Sequence, residues 1–231
     1  MVSVISLLLA KPTPTLNAGV GEESFWQTRG EEYARKLFAG VDRHLTQPHT
    51  NYLLTDSPEL APVGVIAIPT PLSREQGPGW WGKMAIFHPA ILPQDDKALY
   101  LDADNVVCGP LDWLVDLDPP PLLMLDDMYT PGLPNASTLL FVPWACGTLW
   151  HEYAANPTQI QQEFSQWPNA ADQAFIAKRT AAPLVSAPGR ILNARVHIER
   201  GDDYSHASLV LGSFHPKPHE STQEFYRRHW V

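Results

Sequence analysis

The chain has 231 residues, 44% of them hydrophobic, which suits one large domain spanning 1–231 with a full core. Its formal net charge of −9 excludes nonspecific nucleic-acid binding, which needs a basic face, but not a local cationic pocket for phosphates. Cys108 and Cys146 stand in different segments and form neither a metal spacing nor a disulfide framework, so a reducing, cytoplasmic setting is expected.

Val2 to Ala10 is apolar, has no basic stretch before it and is too short to span a bilayer, so it is predicted to be the first buried strand. No other stretch approaches transmembrane length, and no integral membrane segment is expected. Lys11–Thr28, rich in Pro, Gly and Asn, reads as a loop. Tyr33, Leu37, Phe38 and Val41 recur at helical spacing, with Glu early and Lys/Arg late, which predicts a helix over Gly30–Arg43. Short strands are predicted over Asn51–Thr55, ending in the turn Thr55-Asp56-Ser57-Pro58, and over Val63–Ile68, closed by Pro69-Thr70-Pro71. A loop with Gly77-Pro78-Gly79 then leads into Trp80-Trp81-Gly82-Lys83, and a helix is predicted from Met84–Phe87 to Pro89.

Ala98–Leu101 is predicted as a buried strand, Leu111–Val115 as a short helix, and Leu122–Leu125 and Thr138–Val142 as strands. Helices follow at Thr158–Trp167 and Asp172–Arg179, then weaker strands at Val185 and Ile191–Ile198, a strand at Ser208–Leu211 and a polar tail. The 23 prolines are scattered among apolar segments, which indicates a loop-rich fold and not disorder. Strands and helices alternating at short intervals predict an α/β fold with a mostly parallel central sheet flanked by helices. Ligands of such sheets bind at the carboxyl ends of the strands, where Asp56, Asp102 and Asp104 stand.

The run Leu99-Tyr100-Leu101-Asp102-Ala103-Asp104 is the most informative stretch. Alternate residues of an extended chain point the same way, so Asp102 and Asp104 can aim at one point. Two carboxylates sharing a point repel unless a cation lies between them. A hard divalent cation takes one or two carboxylates and completes its shell with water and phosphate oxygens. The pair therefore reads as a metal-bridged diphosphate site. A second match, Asp116-Leu117-Asp118, runs into Pro119-Pro120-Pro121 and reads as a solvated turn.

Further pieces accompany that run in order: Gly79-Trp80-Trp81-Gly82-Lys83, Asn135-Ala136-Ser137, Ala171-Asp172-Gln173, and Phe214-His215-Pro216-Lys217-Pro218-His219. Together they resemble GT-A-fold (nucleotide-diphospho-sugar transferase) glycosyltransferases. The chain is similar to glycosyltransferase family 8, the family of glycogenin and bacterial galactosyltransferases, and most of all to an uncharacterised bacterial branch of that superfamily. The resemblance implies a metal-dependent hexosyltransferase that moves a sugar from a nucleotide-diphosphate donor, a UDP-sugar first, to an acceptor, with retention of configuration. It implies Mn²⁺, or Mg²⁺, on Asp102 and Asp104, with His215 joining the metal shell and Lys217 binding the diphosphate. The family has a longer His-to-Lys separation with a Gly in it; here Pro216 takes that place and Gly212 lies upstream. Either the loop is shortened or the metal His is lost, and His219 is the backup ligand. By the same resemblance Lys83 faces the diphosphate, Asn135 and Ser137 touch the donor sugar with Ser137 standing where the family has Gly, and Asp172 and Gln173 lie against the sugar where the reaction occurs. Asp56 is assigned to the nucleotide-sugar site from its place at a strand end.

Other readings of these residues stay open. Lys83 also reads as a surface lysine, Asp104 as a turn residue, Asp172 as a helix N-cap, and Trp80 or Trp81 as core. Pro69–Gly82 reads as a loop able to close over the donor. Tyr226-Arg227-Arg228-His229-Trp230 reads as a packed C-terminus, or as a contact for an anionic acceptor or membrane surface. Two other functions fit part of the pattern. One is a phosphatase of the haloacid dehalogenase type, with Asp102 as nucleophile, Asp104 as acid/base and Gly201-Asp202-Asp203 as a distant metal pair. The other is a nucleotide-sugar-binding protein that has lost transfer activity.

Overall fold

The run Val2–Leu8, buried on both faces, forms the first strand, β1, near the middle of the sheet. This computed structural model describes residues 1–10, 20–73, 75–77, 79–94, 96–119, 121–166, 171–212 and 216–231, and for 20–24 the backbone alone. The first half of the loop predicted over Lys11–Thr28 therefore lies outside the described residues. Its last part is helical, since α1 spans Val20–His44 and starts ten residues before the expected Gly30. Tyr33, Ala34, Leu37, Phe38 and Val41 are its buried face, and Arg43 and His44 stand at the negative end of its dipole.

β2 (His49–Thr55) and β3 (Ile66–Pro69) follow. The strand expected from Val63 begins later because Gly64 adopts φ +87° and Val65 N–H bonds back to Pro62 O, a turn. A 3₁₀ helix over Gly79–Phe87 replaces the helix expected from Met84. Then come β4 (Lys97–Leu101), β5 (Val106–Val107), α2 (Asp112–Val115), β6 (Leu122–Asp126) and β7 (Pro134–Phe141). α3 (Pro143–Ala155) has no counterpart in the sequence reading, although Cys146, Leu149 and Tyr153 bury a helical stripe. α4 (Pro157–Glu163), α5 (Ala171–Thr180), β8 (Leu184–Val185), β9 (Ile191–Asn193), β10 (Leu209–Leu211) and α6 (Glu224–His229) complete the chain. The strand expected to reach Ile198 stops at Asn193, whose Oδ1 accepts the N–H groups of Arg195 and Val196 and turns the backbone. The tail is helical at its end, with Phe225, Tyr226 and Trp230 buried.

Seven strands form one sheet in the order β3-β2-β1-β4-β7-β6-β8. All run parallel except β7, which is antiparallel to β4 and β6. The strand order reverses between β1 and β4, and ligands of open α/β sheets bind outside such a switch point. The reversal of β7 matters as well. Leu101 at the carboxyl end of β4 pairs with Thr138, so β7 brings its first residues, Asn135 to Ser137, to the same edge. One face of the sheet packs on α3, α4, α5 and the 3₁₀ helix. The other packs on α1, α2 and a small sheet of order β5-β10-β9.

Candidate functional site

Asp102 and Asp104 leave the carboxyl end of β4, and each meets a lysine from elsewhere. Lys83 Nζ lies 3.3 Å from Asp102 Oδ1, and Lys217 Nζ donates to Asp104 Oδ2 at 2.7 Å. Tyr100, one pleat back on the face that Asp102 shares, donates its hydroxyl to Asp102 Oδ1 at 2.6 Å. Asp104 is therefore more than a turn residue: its carboxylate is packed against Gly212 and paired with Lys217.

Lys83 is no surface lysine, since it is 5% exposed. The 3₁₀ helix carries it under the sheet edge, where Nζ donates to Ala136 O at 2.9 Å and lies 3.2 Å from Asp172 Oδ2. Burial pulls its pKa down, but the carboxylates of Asp102 and Asp172 outweigh burial and hold the ammonium above its ordinary value. Asp172, at the start of α5, is 4% exposed. Burial pushes its carboxyl up against the pull of Lys83. Its Oδ2 accepts no well-directed hydrogen bond, so a buried acceptor beside Lys83 retains unused capacity. Gln173 follows it, half-buried, and its N–H supports the Asp172 carboxylate.

Asn135 Oδ1 accepts Ser137 N–H at 2.9 Å, a local turn, and Asn135 Nδ2 donates to Asp127 Oδ2 at 3.0 Å. Ser137 lies on β7, and its carbonyl accepts Asp102 N–H at 2.9 Å. Asp56, at the end of β2, accepts Ala10 N–H at 2.8 Å and so holds the chain as it leaves β1. His215 lies outside the described residues. His219 is seated away from open solvent, with Nδ1 2.7 Å from the Tyr33 hydroxyl and its ring stacked on Phe25. Among the described residues no group of three or more His, Cys, Asp or Glu is placed to hold a metal ion.

The structure thus brings together Asp102, Asp104, Lys83, Asp172 and Lys217, with Asn135 and Ser137 on the adjoining strand. Trp81 is buried and stacked on Tyr153, whereas Trp80 is exposed. The loop before them is tied down at Gln76, whose carbonyl accepts the Tyr153 hydroxyl and the Gln161 amide. Sequence reasoning missed Tyr100, Asn105, Asp127 and Gly212 as parts of this edge. Tyr100 carried a readable signal, its two-residue offset from Asp102; the others depend on which strands become neighbours. Asp116 and Asp118 are solvent-side residues as expected, paired with Gln47 and Lys97. Asp202 and Asp203, the distant pair of the phosphatase reading, line a cavity of about 460 Å³ with Asp126, Asp127 and His197.

No protein-family model and no curated protein matches the sequence. Solved structures do. An active-site mutant of LgtC superposes with a TM-score of 0.68 at 12% identity, covering 98% of this chain and 93% of LgtC. Galactosyltransferase LgtC in complex with donor and acceptor sugar analogs gives 0.64 at 12% identity, covering 97% and 94%. Glycosyltransferase GlyE of Streptococcus pneumoniae TIGR4 gives 0.66 at 16% identity, and the chain spans 60% of its length. The order of strands, the carboxylate pair at the switch point and these superpositions agree: this chain has the GT-A-like fold of the glycosyltransferases LgtC and GlyE.

Proposed function

We propose that this protein is a metal-dependent glycosyltransferase that takes a sugar from a nucleotide-diphosphate donor, a UDP-sugar first, and passes it to an acceptor. One observation carries the reading: Asp102 and Asp104 stand at the switch point of the sheet, each matched to a lysine from a separate segment. The donor set suits a divalent cation: two carboxylates stand one residue apart just past a strand end, and the Lys217 ammonium on Asp104 marks a place that a harder cation could take. Asp102 and Asp104 would hold Mn²⁺ or Mg²⁺, which would neutralise the leaving diphosphate as the glycosidic bond breaks.

The chain's own groups divide the remaining work. Lys217 is the exchangeable charge: it neutralises Asp104 and would turn to the diphosphate when donor binds. Lys83 stays put. Buried and bonded to Ala136 O, it compensates Asp102 and Asp172 and fixes the spacing between the diphosphate end and the sugar end of the site. Asp172, held by Lys83 at the start of α5, and Gln173 beside it would stand at the sugar end of the site. Asn135, Ser137 and Asp56 shape the rim.

Calorimetric titration of UDP, GDP and CDP, with Mn²⁺ and with EDTA, tests this. Mn²⁺-dependent binding of one nucleotide, abolished by Asp104→Ala, is the expected result; no binding of any nucleotide with metal present overturns the reading. Release of free sugar from the matching donor, slow and Mn²⁺-dependent, then separates a transferase from a protein that only binds.

A further inference from the structure

Asn105 is 1% exposed and sits at the seam between the two sheets, one residue after Asp104. Its side chain is used in both directions. Nδ2 donates to Ser137 O at 2.9 Å and approaches Thr138 Oγ1 at 3.4 Å, on β7 of the large sheet. Oδ1 accepts Gly212 N–H at 3.1 Å, just past β10 of the small sheet. The β4–β7 ladder ends at Leu101 and Thr138, with one further backbone bond from Asp102 N–H to Ser137 O, and the β5–β10 ladder pairs Val106 with Val210. The Asn105 amide adds a second bond at Ser137 O and one at Gly212 N–H, and so joins the three segments around the carboxylate pair.

The consequence falls on Asp104. A Cβ at Gly212 would lie 2.2 Å from Asp104 Cγ and 2.4 Å from each carboxylate oxygen. The Asp104 carboxylate therefore rests on bare backbone at Gly212, with Lys217 on Oδ2. Whatever fixes the backbone of Gly212 fixes that carboxylate and sets the start of the segment that carries Lys217. The Ser137 carbonyl that Asn105 holds also accepts Asp102 N–H, so the same amide anchors the other carboxylate's backbone.

We infer that Asn105 is a positioning residue for the metal–diphosphate site: its amide clamps Ser137 and Gly212 and thereby sets the separation of Asp102 and Asp104. This inference rests on the glycosyltransferase reading. Groups one shell removed from a metal typically cost about 10- to 100-fold in metal affinity when changed.

The test titrates the full chain with UDP in the presence of Mn²⁺, and records the Mn²⁺ EPR spectrum at saturation. The variants are Asn105→Leu, which is similar in size and makes neither bond, and Asn105→Ser, which gives the same reading if Asn105→Leu does not fold. The control is Asn51→Leu, another buried asparagine, bonded to Asp42 and outside the site. The expected result is a Kd about 10-fold or more higher for the Asn105 variants, with an altered EPR line shape, while Asn51→Leu keeps both despite its lower stability. Asn105 variants that bind as wild type does, with an unchanged spectrum, overturn the inference and leave the glycosyltransferase reading intact. A wild-type chain that binds no UDP, GDP or CDP with Mn²⁺ overturns both.

Discussion

Lys83 lies within ion-pair distance of two carboxylates, the buried Asp172 and the part-exposed Asp102, and neither has another cation near it among the described contacts. Removing one member of such a group leaves buried charge uncompensated, which typically costs about 3–5 kcal/mol. Lys83→Met is expected to lose that much in urea denaturation, where a solvated lysine would change stability by less than about 0.5 kcal/mol. Asp104 gives a pH prediction. Burial holds its carboxyl above the ordinary value of 3.8, Lys217 pulls it down, and Asp102 pushes it up. A protonated carboxyl cannot ligate metal, so Mn²⁺ affinity is lost as pH falls through a midpoint above 3.8, the ordinary value. Lys217→Met removes the opposing ammonium and moves that midpoint higher, which Mn²⁺ titrations across the acid range would read. The sign for stability is opposite to that of a salt-bridged carboxylate. The folded chain binds this proton more tightly than the unfolded one, so this group's contribution falls as pH rises through the folded value. Asp102 and Asp104 were picked out by their place at a strand end, but the strand stops at Leu101, and a turn closed by Asn105 N–H to Asp102 O, not the alternation of an extended chain, relates the two carboxylates. The partners of Lys83 could not be picked out, because nothing in Gly79-Trp80-Trp81-Gly82-Lys83 says that this turn is covered by β7 and α5.

At the scale of elements, the site depends on strand ends that are out of the ordinary. β7 runs against its neighbours, and for that reason its entry turn, Asn135 to Ser137, lies beside the exit of β4. The periodicity of Thr138–Val142 predicts a strand but carries no direction, so this adjacency could not be read. The part played by Asn105 could not be read for a related reason: its amide serves two segments separated from it by more than thirty and more than a hundred positions. Gly212→Ala tests how tightly the end of β10 is built. The added methyl must displace the Asp104 carboxylate, and forced overpacking of this kind costs about 1–3 kcal/mol. The expected outcome is that loss by thermal or chemical denaturation together with loss of Mn²⁺-dependent nucleotide binding. α3 teaches a different lesson. Its buried face, Cys146, Leu149 and Tyr153, carries a helical period that the exposed Trp144, the half-buried Trp150 and a leading Pro143 obscure.

Over the whole molecule, the alternation of elements was enough to predict a mostly parallel sheet with its ligand edge at the strand carboxyl ends, and the sheet order agrees. What alternation could not convey is that the last part of the chain closes the site. Lys217 reaches Asp104 because the segment that bears it is seated on an aromatic cluster next to α1. His219 bonds Tyr33 and stacks on Phe25, Trp230 packs 5.0 Å from Tyr33, and Lys36 lies 3.6 Å over the Trp230 ring. The tail that read as a packed C-terminus is thus also a support for Lys217, the partner of Asp104. Trp230→Ala should show both roles at once. Truncating a buried tryptophan typically costs about 3–5 kcal/mol, and here it also unseats His219 and with it the neighbouring Lys217. The expected outcome is that loss in urea denaturation and, under conditions where the variant is still folded, weaker Mn²⁺-dependent nucleotide binding. Trp144→Ala is the control: Trp144 is 69% exposed, so its loss should move stability by no more than about 0.5 kcal/mol and leave binding unchanged. If Trp230→Ala lost stability but bound nucleotide as wild type does, the C-terminal cluster would be a fastening for α1 alone. Lys217 would then owe its place to Gly212 and Asp104.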